Sequence, residues 1–146
     1  LPAIRAAAVH AYEKLGLTPV FLAVEKFQDP AAIQRAAEGL TVPHYLITKP
    51  EEPAAIIGVL SRMRLVVSMR LHALIFAAGI VYDPKVSAFL KYIGQDLYLE
   101  LEDVESGALC ALIDQAAARK RDAGQVQQLL EKERINQETA QRLYCD

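Results

Sequence analysis

Short, continuously apolar runs alternate along this chain with helix-length segments, and this alternation limits its fold more than any other feature. Residues 18–24 include Val20, Phe21, Leu22, Ala23 and Val24 on consecutive positions. A strand with one wet face alternates apolar and polar residues. An unbroken apolar run suits a strand covered on both faces, as in a parallel sheet. The runs at 44–48, 64–68, 79–82 and 97–99 read as further strands. Between them lie helical patterns at 3–15, from Asp29-Pro30 to about 38, from Glu51, Glu52 and Pro53 to about 63, at 69–78, and from Asp83-Pro84 to Ile93. Two more helices follow, at 104–121 and 126–143, separated by Ala123-Gly124. Asp-Pro pairs mark helix starts, with Asp at the N-cap and Pro in the first turn, and Gly16, Gly39 and Gly94 mark ends.

Strands alternating with helices predict a single α/β domain over residues 1–146, a Rossmann-like parallel sheet flanked by helices and joined by right-handed crossovers. The chain opens on a helix, with Leu1-Pro2 leading straight into the pattern. We therefore expect a piece of a longer protein, with one strand upstream of Leu1. A second irregularity lies at Ala78–Gly79, where a helix runs into a strand with one residue between them. Either the helix ends early or residues are missing at 78–79.

Composition excludes several function classes. The 146 residues are 53% hydrophobic and 23% charged, with net charge −2. That is neither a disordered chain nor a general nucleic-acid or polybasic membrane surface. No apolar run reaches the ~18 residues of a membrane-spanning helix. Cys110 and Cys145 stand at no metal spacing and are expected to be reduced structural thiols. His10 and His44 also lack partners at metal or catalytic spacing, so structural roles are expected and no metal site is assigned.

Ligands of open parallel sheets bind beyond the carboxyl ends of the strands. After the third run come Ser68, Met69, Arg70, Leu71 and His72; after the fourth come Tyr82, Asp83, Pro84 and Lys85. Ser68 and Asp83 suit N-caps, which puts Arg70, His72 and Lys85 in first helical turns. Helix N-termini carry partial positive charge and prefer acids, so each cation there costs a few tenths to ~1 kcal/mol. A bound phosphate or carboxylate reverses that cost, because free N–H groups, a guanidinium, an imidazole and an ammonium make an anion cradle. Taken singly, Arg70 is as well read as the partner of a surface carboxylate, His72 as a core histidine and Lys85 as a solvated lysine. Their joint occurrence at two successive strand ends favours the cradle. Glu25, after the first strand, is a weaker candidate for the same cleft. Neither a Gly-rich dinucleotide fingerprint nor a P-loop is present.

The segment from Ser68 through Arg70-Leu71-His72 to Ala78, followed by Tyr82-Asp83-Pro84-Lys85-Val86, resembles the polysaccharide pyruvyl transferase family, and within it the bacterial branch acting on secondary cell-wall polymers. Pro19 to Leu22, Asp29 and Val59 to Met63 share the likeness. It covers most of the chain but only the C-terminal half of a family member. The resemblance implies a GT-B-like enzyme of two Rossmann-like domains, whose N-terminal, acceptor-side domain is absent here. It implies phosphoenolpyruvate as co-substrate with no cofactor, and a cyclic ketal formed on a sugar diol, N-acetylmannosamine of a cell-wall polysaccharide. By motif, His72, Arg70 and Lys85 are the expected catalytic residues. Ser68, Met69, Tyr82 and Asp83 join them in substrate binding. The expected location is cytoplasmic, peripheral to the membrane through a lipid-linked acceptor, and the piece alone is expected to be inactive. Family members carry more chain between the Phe76-Ala77-Ala78 helix and the Tyr-Asp-Pro-Lys motif, a departure that falls at the irregular 78–79 junction. The rival readings are half of a nucleotide-sugar glycosyltransferase or epimerase, and a non-catalytic interaction domain whose contact element is the helix at 126–143.

Overall fold

Parallel pairing organises the chain, as the apolar runs require. The structure is a computed structural model and describes residues 1–49, 52–70, 74, 77–119 and 123–144. The elements in order are α1 (Pro2–Leu15), β1 (Val20–Leu22), α2 (Asp29–Ala37), β2 (Tyr45–Ile47), α3 (Pro53–Leu60), β3 (Val67–Ser68), β4 (Ala78–Val81), α4 (Pro84–Tyr92), β5 (Tyr98–Glu100), a 3-10 turn at Leu101–Asp103, α5 (Ser106–Ala118) and α6 (Ala123–Tyr144). Every strand pair is parallel. The α/β class therefore holds.

The expected single sheet does not form among the described residues. Instead β1 pairs with β2, and β3, β4 and β5 form a second sheet in that order. The strands are also shorter than the apolar runs, with β3 only two residues long.

The three-stranded sheet is covered on both faces. On one, Ala78 and Ile80 of β4 meet Ala7 of α1 and Leu109, Leu112 and Ile113 of α5, with Leu97 and Leu99 beside them. On the other, Val81 meets Leu74, Leu90 and Ile93, with Val86 and Tyr98 packed alongside. Alternate residues of one strand thus enter opposite cores, and β4 is buried at all four positions. Each fully buried Leu or Val here contributes ~1.5–3 kcal/mol. His10 Nε2 lies 2.7 Å from Asp114 Oδ1 and ties α1 to α5, the structural role expected of it. His44 Nδ1 donates to the Val42 carbonyl at 2.8 Å, and its ring meets Phe21 edge-on.

Two glycines behave differently. Gly16 ends α1 in the left-handed region (φ 64), and the Leu17 N–H reaches the Ala11 carbonyl at 3.0 Å, a C-cap only glycine adopts without strain. Gly79, expected at a strand start after a helix, lies within β4. A Cβ there would run into the buried Leu74 side chain, so the glycine lets that side chain lie directly on the sheet. Ala78 and Gly79 both belong to β4, so the strand is continuous across 78–79.

The last helix starts at Ala123, before Gly124, so Ala123-Gly124 lies within a helix rather than between two. No helix of the described residues is long and apolar enough to cross a membrane.

Candidate functional site

Two strand–helix junctions meet at one edge of the three-stranded sheet. β3 and β4 are parallel neighbours, with Ser68 in register with Gly79, so their carboxyl ends point the same way. The two junctions use one local device. The Arg70 N–H donates to Ser68 Oγ at 3.0 Å, and the Lys85 N–H donates to Asp83 Oδ1 at 2.9 Å. In each, a capping side chain at the strand end takes the N–H two residues on, and that residue is the cation. Asp83, Pro84 and Lys85 occupy N-cap, N1 and N2 of α4 as the sequence implies. After Ser68, the Leu74 N–H donates to the Arg70 carbonyl at 3.1 Å. Met69, Arg70, Tyr82 and Lys85 are exposed and Asp83 is half-buried. His72 lies outside the described residues, as does Cys145.

The sequence reading missed Asp29. It was expected to cap α2, but it is the first helical residue and makes no cap bond. Its Oδ2 accepts the Val24 and Glu25 N–H groups at 2.9 and 2.7 Å. Both its oxygens also accept from Arg70 Nη2, at 3.1 and 3.2 Å. Burial pushes the Asp29 carboxyl up, but the Glu25 and Val24 N–H groups and the Arg70 guanidinium outweigh it and hold the pKa below its ordinary value. The signal was available: Asp29 follows β1 at a carboxyl end, the edge where Arg70 follows β3.

Glu25 is committed elsewhere. Its carboxylate accepts the Phe27 and Gln28 N–H groups at 2.9 and 2.7 Å and so closes the approach to α2. It takes local backbone donors rather than serving the cleft.

The electrostatics differ from a purely cationic cradle. Among the described residues, Arg70 and Lys85 are accompanied by the carboxylates Asp29 and Asp83, and the four charges balance. Arg70 engages Asp29 only through Nη2, and its side chain is 49% exposed. The guanidinium thus remains open to solvent for a second, bidentate partner. Cys110, on α5, is no nucleophile for this edge: burial and the Asp114 carboxylate raise its thiol pKa. An open hollow of ≈ 580 Å³ beside β5, lined by Lys91, Gln95, Asp96, Tyr98 and Asp103, shares no residue with the two junctions.

Comparison with known proteins bears on the first half of the chain. The family model for polysaccharide pyruvyl transferase matches residues 3–79. That stretch holds Asp29, Ser68 and Arg70 and stops at Gly79, before the Tyr82-Asp83-Pro84-Lys85 motif. No curated protein and no solved structure matches. With the match spanning more than half of the residues, the chain belongs to the polysaccharide pyruvyl transferase family.

Proposed function

We propose that this chain binds phosphoenolpyruvate at the carboxyl edge of β3 and β4 and forms the donor half of a pyruvyltransferase that builds a cyclic ketal on a sugar diol. One observation carries the reading. Two neighbouring parallel strands end in the same device, a side-chain oxygen that accepts the N–H two residues on, where a cation stands. Helix N-termini and cations together attract anions. A donor bearing a carboxylate and a phosphate has an anion for each junction.

The reaction adds two hydroxyls across the donor's enol carbon. The methylene carbon takes a proton and becomes the methyl group, and C2 becomes electrophilic. One sugar hydroxyl attacks C2, and the second displaces phosphate. Of the two hydroxyl protons released, one balances the proton on carbon and the other leaves with phosphate. Arg70 holds one anionic group bidentately. Lys85 offsets the charge that develops on the leaving phosphate. His72 is the proton-transfer group of this scheme. Asp29 positions Arg70 across the edge and keeps it from collapsing onto the surface. The acceptor is a cell-wall polysaccharide sugar, and the acceptor-side acid or base comes from a second domain.

The test is an NMR titration of the chain with phosphoenolpyruvate, with UDP as control, repeated on Arg70→Ala and Lys85→Ala. Shifts centred on 68–70 and 83–86 are expected with phosphoenolpyruvate alone. Affinity should fall at least about tenfold in either variant, the loss of one charge-assisted hydrogen bond of ~1.5–3 kcal/mol. A response to UDP alone transfers the site to nucleotide-sugar chemistry. A phosphoenolpyruvate response that Arg70→Ala leaves unchanged, or no response, overturns the proposal. A second reading rests on the Asp29–Arg70 pair: Arg70 as a structural strap, in which case Arg70→Ala lowers Tm and leaves ligand response untouched.

A further inference from the structure

Helix α3 has the composition of a core helix and the exposure of a surface one. Its residues, Pro53 to Leu60, carry no polar side chain. A helix that is apolar all round is normally buried. Helices α1, α2, α4 and α5 all include polar or charged side chains, yet each buries at least one residue. Helix α3 buries none. Ile57, at its middle, is 66% exposed, and Pro53, Ala54 and Ala55 are exposed with it.

The charges stand at the two ends. Glu52, the N-cap residue, is exposed. Past the other end come Arg62 and Arg64, both exposed. Arg62 Nη1 donates to the Gly58 carbonyl at 2.8 Å, which fixes the guanidinium beside the last turn. The helix is thus an uncharged rod, about 12 Å long at 1.5 Å per residue, with an acid at its start and arginines at its end. These signs also complement the helix dipole. They do not by themselves call for a partner, but they decide which partner the bare apolar face accepts.

A bilayer does not fit that face. A helix lying at a membrane interface needs a polar side turned to water, and α3 has none. At about 12 Å it is also far too short for a hydrocarbon core of ~30 Å. A second copy of α3 does fit. Laid antiparallel across a two-fold axis, Glu52 of each copy faces Arg62 of the other, so one symmetry operation makes two ion pairs. Laid parallel, like charges would meet at both ends. The axis brings the two Ile57 side chains together, with Pro53 and Leu60 four residues before and three after on the same stripe.

We infer that α3 is a self-association face, through which two copies of this chain pair antiparallel. One short helix per copy covers less than the ~1,200 Å² of the smaller stable interfaces, so the dimer is weak and forms as concentration rises. This inference rests on the helix and its flanking charges and does not depend on the donor assignment.

The test is sedimentation equilibrium of this chain at low salt, across roughly 10 μM to 1 mM, the range of weak affinities. A monomer–dimer equilibrium is expected. Ile57→Asp puts a charge at the centre of the apolar contact and should weaken dimerisation at least about tenfold. Glu52→Arg and Arg62→Glu should each weaken it at least about threefold, the scale of two exposed ion pairs turned to repulsion. Mixed one to one, these two variants supply one copy with arginine at both ends and one with glutamate at both. The mixed dimer should regain the strength of the parent, which also tests the contact if Ile57→Asp disturbs the fold. A monomer throughout, a dimer indifferent to Ile57→Asp, or variants that pair no better mixed than alone overturns the inference. So does a chain that stays monomeric and co-sediments with phosphatidylcholine vesicles, which would assign α3 to a lipid surface.

Discussion

The two sheets pair their strands in the same way and end differently. β4 sits between two cores and is buried at every position. β2 shows Tyr45 at 66% and Leu46 at 41% exposure, and the apolar helix α3 that follows it has no buried residue. Hydrogen-bonded pairing is common to both, so the ladder does not decide which half is firm. Cover does. Parallel strands are normally covered by helices on both faces, and among the described residues only the three-stranded sheet is packed on both.

That contrast can be broken by truncating one leucine in each half. Leu90→Ala, in the core beneath β4, should cost about 2–5 kcal/mol, a large part of the stability of a domain this size. Leu46→Ala, on β2, should cost under about 1 kcal/mol because much of the side chain already meets water. Urea unfolding of the two variants checks both values; equal losses would mean that the β1–β2 half is covered by something else in solution.

A smaller effect sharpens the junction at the firm sheet. Asp83→Ala removes the oxygen that takes the Lys85 N–H and should cost about 1 kcal/mol, whereas Asp83→Asn keeps a capping oxygen and should be nearly neutral. Thermal unfolding distinguishes them.

The smallest effect tests the link between the halves. Because the folded state holds the Asp29 carboxyl below its ordinary pKa, the stability it confers is complete above the unfolded value of about 3.9 and is lost as pH falls through the lower folded value. Asp29→Asn should therefore lower stability modestly at pH 7, where that contribution is complete, and flatten the acid limb so that the difference from the parent shrinks towards pH 2, as read by denaturation midpoints between pH 2 and 7.

Legibility in the sequence followed the range of the interactions. The start of α4 was readable because Asp83, Pro84 and Lys85 each satisfy a local need of the first turn. The Ser68 cap is local in the same sense, and the apolar runs announced parallel strands. Gly79 was misread because its reason is a buried neighbour, Leu74, whose approach is a matter of packing. Asp29 was misread for a similar reason: an Asp-Pro pair looks like a cap, and only the meeting of β1 and β3 ends turns the carboxylate toward Arg70, 41 residues away. The division into two sheets could not be read from apolar runs, which say that a strand wants cover and not which strand stands beside it.

The Asp29–Arg70 pair joins a well-packed half to a thinly covered one, and this makes it a point of linkage. An anion that takes the open side of the guanidinium while Nη2 stays on Asp29 favours the state in which the two halves are joined. Reciprocity then requires the converse: whatever draws the β1–β2 half away from β3 lowers the affinity of Arg70 for anions by the same factor.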